Sequence, residues 1–204
     1  MKSTRVLLFK GDKMNYCEIN ACDIANGDGV RVSLFVSGCD KKCKGCFNPS
    51  TWDPKYGRLW SEETYDLLRT MLMKPYIKGL TLLGGDPFFS GNRSDISNLL
   101  RLLRSDIKEF STGEKDIWMY TGYLYEDLVQ YDQEERKKFG CQIINGEVHT
   151  GSRLILHYID VLVDGPFIEE QKDLSLKFRG SSNQRIIDVK KSLKEGKVVL
   201  YYGK

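Results

Sequence analysis

Apolar residues fall along this chain in short blocks of two kinds. Val32 to Val36 (VSLFV), Gly79 to Leu83 (GLTLL), Asp116 to Tyr120 (DIWMY) and Val161 to Val163 (VLV) are compact runs, the mark of buried strands. Between them apolar residues recur at helical spacing. Ser61 offers an N-cap, and Glu62 and Glu63 suit the positive helix end. Leu67, Leu68, Met71 and Leu72 then share one face of a helix that runs towards Lys74 and stops at Pro75. Ile96, Leu99, Leu100 and Leu103 predict a second helix over Ser94 to Arg104, with Ser94 as its cap. Tyr125 to Lys138 reads as a third. Asn145-Gly146 predicts an inserted hairpin within residues 140–158. Residues 1–13 read as an N-terminal extension, a short edge strand or an extended start.

Strand followed by helix, repeated, predicts an α/β fold with a mostly parallel sheet and helices on its outside. In such sheets ligands gather at the carboxyl ends of the strands. Every polar oddity of the sequence sits there: a cysteine loop after the first run, Gly84-Gly85-Asp86-Pro87 after the second, Thr121-Gly122 after the third, and Asp164-Gly165 after the fourth.

At 204 residues and 41% hydrophobic content, residues 1–204 are expected to form a single domain. Thirty-one basic and twenty-eight acidic side chains, evenly mixed, leave a formal charge of +3 and argue against nucleic-acid binding. No apolar run is long enough to span a bilayer, and Val6 to Phe9 is too short for a secretory leader. The expected location is cytoplasmic, where thiols stay reduced, so the six cysteines point to metal or redox chemistry rather than disulfides.

Three of the six fall in one loop, CDKKCKGC, as Cys39, Cys43 and Cys46. A buried helical stripe is one reading, opposed by Gly38, Gly45 and Pro49 and by the lysines between the cysteines. Structural zinc is a second; it needs a fourth ligand brought from a distance by Cys17, Cys22, Cys141, His149 or His157. The third is a [4Fe-4S] cluster on three thiolates, with one iron left for an external ligand. An open iron of that kind can bind S-adenosylmethionine and pass it one electron, giving methionine and a 5′-deoxyadenosyl radical.

The C-x3-C-x2-C spacing resembles the signature loop of the radical S-adenosylmethionine superfamily. Gly45 stands where the superfamily usually has an aromatic residue, and Phe47 follows the third cysteine instead. Six blocks in order, from DIANGDGVRVSLFVSGC (Asp23 to Cys39) through GCFNPSTW, LLGGDPFF, DIWMYTGY and VLVDGPF to RGSSNQRIIDV (Arg179 to Val189), resemble the glycyl-radical activases that serve anaerobic ribonucleoside-triphosphate reductases.

That resemblance implies a partial, open (β/α) barrel. It implies a [4Fe-4S] cluster on Cys39, Cys43 and Cys46, S-adenosylmethionine as second cofactor, and the large subunit of the reductase as protein substrate. Gly45 and Phe47 would lie near the adenine, Gly84, Gly85 and Asp86 near the methionyl amino group, and Thr121 and Asp164 near the amino-acid or ribose part. Asp86 also suits a helix N-cap before Pro87. Lys41, Lys42 and Lys44 either form a solvated face or steer an acidic electron donor such as a flavodoxin. Ser181, Ser182 and Asn183 read as a loop at the mouth of the site or as a plain turn. No role falls to Cys17, Cys22 or Cys141. The rival readings are an activase for another glycyl-radical enzyme, a small-molecule enzyme such as a carboxydeazaguanine synthase, and a non-catalytic zinc-binding adaptor.

Overall fold

Side chains that alternate along a strand divide a sheet into two faces, and here the two faces differ in chemistry. The strands are β1 (Asn15–Asp23), β2 (Arg31–Val36), β3 (Arg58–Leu59), β4 (Gly79–Gly84), β5 (Asp116–Tyr120), β6 (Gln142–Ile144), β7 (Glu147–His149), β8 (Val161–Asp164) and β9 (Arg185–Asp188). The helices are α1 (Glu62–Leu72), α2 (Arg93–Asp106), α3 (Lys108–Thr112), α4 (125–131), α5 (Gly151–Tyr158) and α6 (Val189–Glu195). This computed structural model describes residues 14–131, 142–144, 147–149 and 151–202. The N-terminal extension expected over 1–13, the far end of the third expected helix and Cys141 lie outside the described residues.

Seven strands form one open sheet in the order β3-β1-β2-β4-β5-β8-β9. The centre, β2-β4-β5-β8, is parallel, as the alternation of strand and helix predicts. Its edges are not: β1 and β3 on one side and β9 on the other run antiparallel, so the sheet is mixed. The β8–β9 connection carries no crossover helix, only a 3-10 turn at Glu169–Gln171. It leaves and re-enters the sheet at the same end, so β9 must run antiparallel. The loop 165–184 therefore lies over the carboxyl ends of the parallel strands. Between β5 and β8, β6 and β7 pair as a hairpin, and the second part of the 140–158 segment is helix α5 rather than hairpin.

The outer face carries Val32, Leu34, Val36, Leu80, Leu82, Ile117, Met119, Leu162 and Ile187. Helices α1, α2 and α5 cover it with Leu68, Leu72, Ile96, Leu99, Leu100, Leu103 and Leu156 in one continuous core. In α1 the Ser61 hydroxyl accepts from Thr64 N at 3.2 Å, as a capping serine does. Leu67, expected on the buried face, is 51% exposed, because Tyr65, Leu68 and Leu72 at i, i+3 and i+7 define the inward stripe and residue 67 lies off it. Helix α2 starts at Arg93, with Asn92 rather than Ser94 at the cap position.

The inner face is polar at the amino end of the strands. Arg31 is wholly buried there: Nε donates to Thr81 Oγ1 at 2.7 Å, and the terminal nitrogens donate to the carbonyls of Asp28 at 3.0 Å and Leu80 at 2.8 Å. Asp116 pairs with it at 2.7 Å. A buried guanidinium is tolerable only when its donors are satisfied in this way. Across the sheet, on β5, β8 and β9, the same face turns apolar, through Trp118, Val161, Val163 and Ile186. Tyr201 packs edge-on against Trp118, and the Tyr202 hydroxyl donates to Asp28 at 2.7 Å, so the C-terminal segment covers the lower end of this face. Among the described residues no helix is long and apolar enough to cross a membrane.

Two substitutions gauge these contacts. A Cβ added at Gly79 would sit 1.9 Å from the backbone oxygen of Asp116 on the neighbouring strand. Gly79→Ala should therefore destabilise the chain by about 3 kcal/mol, the upper part of the overpacking range. Ser61→Ala should cost about 1 kcal/mol through the lost cap. Urea unfolding of both variants checks the order.

Candidate functional site

A cavity of 510 Å³ opens at the carboxyl ends of β2, β4 and β5, floored by Phe35, Leu83 and Tyr120, the last inward-facing residues of those strands. The cysteine loop leaves β2 and crosses one wall. Cys39, Cys43 and Cys46 all line the cavity, and all three are free thiols. The loop is not a helix, so the buried-stripe reading is set aside. Instead it turns tightly: Cys46 N donates to the Cys43 carbonyl at 3.2 Å, and Gly45 takes a left-handed φ of +71° that glycine adopts without strain.

Backbone amides serve the sulfurs. Asn48 N points at Cys46 Sγ at 3.4 Å. Burial pushes the Cys39 thiol up from its ordinary pKa, while the backbone N–H groups of Lys41 and Lys42 pull the other way. Lys42, at φ +46°, is one of few non-glycine residues in the left-handed region, and this bend brings the two successive amides round one sulfur. Such N–H···S contacts tune iron–sulfur ligands.

The second wall is the end of β4. Gly84 and Gly85 line the cavity, yet the space a Cβ would need is taken by protein backbone: at Gly84 the Val36 oxygen lies 2.7 Å away, and at Gly85 the Gly38 oxygen lies 2.6 Å away. The glycines thus let β4 and the start of the cysteine loop touch. Asp86 follows, 1% exposed. It caps no helix; its Oδ1 accepts from Phe88 N at 2.8 Å and from Thr121 Oγ1 at 2.9 Å, and its Oδ2 accepts from Gly122 N at 2.9 Å. Asp86 and Thr121, expected to contact a ligand separately, are bonded to each other. Together they tie the ends of β4 and β5.

Asp164 is placed differently. It is fully buried and does not line the cavity, whereas its neighbour Gly165 does. Its carboxylate accepts from Arg185 Nε at 3.0 Å and from Tyr125 N at 2.8 Å, joining β8, β9 and the start of α4.

The mouth is aromatic. Phe47 is 60% exposed and meets Phe167 edge-on, with ring centroids 5.1 Å apart. Gly180 lies against both rings, 3.0 Å from Phe47 and 3.1 Å from Phe167 measured to an added Cβ. Phe167, Gly180 and the amide of Asn48 escaped the sequence reading as site residues; the blocks VLVDGPF and RGSSNQRIIDV contained two of them without marking which residues face inward. Within that loop Ser181 accepts from Ile168 N and Asn183 donates to the Pro166 carbonyl at 2.8 Å, so these residues staple the loop to itself. Lys44 pairs with Glu169 at 3.0 Å and Glu170 at 3.3 Å, and the Lys41 ammonium sits 3.3 Å above the Tyr123 ring. The basic run is therefore largely engaged with the two flanking loops.

Among the described residues no three His, Cys, Asp or Glu side chains converge closely enough to hold a single metal ion. A closed zinc tetrahedron needs that convergence. A cubane cluster takes each thiolate on a different iron, so thiols spread along one cavity wall fit it.

Fold and loop together define an α/β iron–sulfur protein, and the family model described as a 4Fe-4S single cluster domain matches residues 25–187. The chain is 41% identical over 175 residues to the anaerobic ribonucleoside-triphosphate reductase-activating protein of Enterobacteria phage T4, covering 85% of this chain and 93% of that one. It is 39% identical over 175 residues to the protein of the same name from Vibrio cholerae, with 85% and 97% covered. For that of Escherichia coli K12 the identity is 36% over 173 residues, with 84% and 96% covered. The chain belongs to this family of activating proteins.

Asp86 makes the site sensitive to pH. Burial raises its pKa from the ordinary 3.8 to about 6, against the opposing pull of the donors around it. The protonated form is thus favoured by folding: that contribution is complete below 3.8 and is lost as pH rises through 6. Relative to Asp86→Asn, which stays neutral, the wild-type chain should lose about 3 kcal/mol of stability between about pH 4 and pH 7. Urea titrations at the two pH values check this; a constant difference between the two proteins would contradict it.

Proposed function

We propose that this chain, as a single domain over residues 1–204, is a radical S-adenosylmethionine activase that generates a glycyl radical on an anaerobic ribonucleoside-triphosphate reductase. One juxtaposition carries the reading: three thiols in one loop, facing a cavity whose other walls include strand-end backbone, the Asp86 and Thr121 side chains and aromatic rings. The names of the relatives support the partner, and the family model supports the cluster.

In this reading Cys39, Cys43 and Cys46 hold a [4Fe-4S] cluster. When bound, that cluster would supply the single electron for reductive cleavage of S-adenosylmethionine to methionine and a 5′-deoxyadenosyl radical, the species that would take hydrogen from the partner's glycine. The protein's own residues orient and shield. Phe47 and Phe167, packed edge-on at the mouth with Gly180 against both rings, offer an aromatic surface suited to adenine. Gly45 turns the loop so that Cys43 and Cys46 face the same cavity. Gly84 and Gly85 present backbone to the amino-acid end of the ligand. Asp86 and Thr121, which line the cavity themselves, and the buried Asp164 hold the strand ends where that backbone lies. Phe35, Leu83 and Tyr120 keep water from the floor.

A partial barrel of the radical S-adenosylmethionine type is the architecture we infer. It is supported by a sheet with two open edges, helices on the outer face, and an inner face filled by one layer of side chains. An acidic electron donor such as a flavodoxin would approach beside Lys42, since Lys44 is paired with Glu169 and Glu170 and Lys41 sits over the Tyr123 ring. A zinc adaptor is the rival of another class; among the described residues no three candidate ligands converge on one point.

Anaerobic reconstitution tests the proposal. Cys39→Ala, Cys43→Ala and Cys46→Ala should each lose nearly all iron and all 5′-deoxyadenosine formation, while Cys17→Ala and Cys22→Ala keep both. Nucleoside yield should rise on adding the reductase, which should acquire the electron-spin signal of a glycyl radical. Stoichiometric zinc without iron, or nucleoside formation indifferent to the reductase, would sink it.

A further inference from the structure

The three successive carbonyls that lead into the cysteine loop are all held by one turn. The Val36 oxygen accepts from Gly85 N at 2.7 Å, and the Gly38 oxygen accepts from Asp86 N at 2.8 Å. Between them the Ser37 oxygen accepts from the side-chain amide of Asn92 at 2.9 Å. The same Nδ2 donates to the Asp86 carbonyl, also at 2.9 Å, so both of its protons are used. Of the three bonds, only the central one comes from a side chain.

Asn92 stands at the N-cap of α2, a position where asparagine normally accepts from the helix's first amides. It makes no such bond; its backbone is helical at φ −97° and ψ −26°, and its amide points back to the strand instead. It is 2% exposed and does not line the cavity. Gly38 completes the seat: its φ of +97° and the 2.7 Å from an added Cβ to the Phe89 ring press the chain against the 86–92 turn.

We propose that Asn92 is a positioning residue for the metal centre: by fixing the Ser37 carbonyl to the 86–92 turn, it sets the direction in which Cys39 leaves β2. The amide is suited to this as no carboxylate is, because both groups it meets are acceptors. The inference rests on Cys39 being a cluster ligand, and the test separates the two.

Two variants serve. Asn92→Asp keeps the shape but sets an acceptor against two carbonyls; Asn92→Ala removes the donors and adds no charge. In metal-free protein, alkylation of Cys39 is read by mass spectrometry against Cys22, an exposed thiol of the same chain. The Cys39-to-Cys22 rate ratio should rise roughly tenfold in Asn92→Ala, as expected when buried hydrogen bonds no longer hold a local segment closed. It should rise further in Asn92→Asp. After reconstitution the reduced cluster of Asn92→Ala should give a shifted or broadened electron-spin signal at wild-type iron content.

An unchanged ratio together with a wild-type signal overturns the proposal. So does a fall in melting temperature with no change in the ratio, which is what a merely structural asparagine would produce. If Asn92→Asp does not fold, Asn92→Ala decides alone. Should the wild-type chain take up no iron, the cluster reading fails, while the metal-free labelling still decides whether Asn92 positions Cys39.

Discussion

Strands that run side by side in the same direction cannot be joined by tight turns; each connection must cross the sheet and return. In β2, β4, β5 and β8 this constraint sends the helices across one face, where Leu34, Leu80, Leu82 and Met119 need covering. It also delivers each loop that leaves a strand to the same end. The cysteine loop, the Gly84–Asp86 turn and Thr121-Gly122 are distant in sequence and adjacent in space for that reason alone. The antiparallel β9 extends the arrangement: because its loop has no helix, residues 165–184 fold over the cavity and contribute Phe167 and Gly180.

The inner face depends on the same alternation. Its residues cannot all be apolar, since the strand ends below the cavity carry Arg31, Ser33 and Thr81, nor can they be left wet. The structure resolves this by saturating them. Arg31 alone bridges β2, β4, β5 and the 23–30 loop, and Asp23 accepts from Ala25 N and from Asn26 at 2.7 Å each, and from Ser33. Breaking one partner of such a network costs more than the bond itself, because the group left behind remains buried. The polar layer therefore anchors the 23–30 loop, whose residues Ala25 and Asn26 form part of the cavity wall.

How much of this was legible in the residues depended on whether a signal was local. The four central strands were, because VSLFV, GLTLL, DIWMY and VLV are buried on both faces and read as continuous apolar runs. β1 was not: NYCEINACD lies at the sheet's edge region and is mostly half-exposed, so no clean alternation marks it. Ser61 announced its cap, whereas Asn92 displaced Ser94 because its amide is needed by β2, a partner 55 residues away. The cysteine loop was legible from spacing alone. What Asp164 does was not, since a carboxylate at a strand end looks the same whether it faces a ligand or, as here, a backbone amide and Arg185; nor was the bond between Asp86 and Thr121, which line the cavity together. Lys44 likewise gave no sign of Glu169 and Glu170, more than a hundred residues on.

The electrostatics of the cavity wall bear on why thiols sit there at all. Burial opposes ionisation of Cys39, and the charge of Asp86 adds to that opposition. In the metal-free chain burial therefore favours the thiol form of Cys39, the weaker nucleophile. In the proposed cluster site a bound cation would reverse the balance, because the low dielectric that penalises a lone thiolate would strengthen its attraction to iron. Loading of the proposed site would then release a proton, so that metal uptake would gain affinity as pH rises. The backbone amides of Lys41, Lys42 and Asn48 are aimed at sulfur in advance of any metal. They lower the energy of the thiolate state without adding mobile charge, as the proposed anionic ligand set would require.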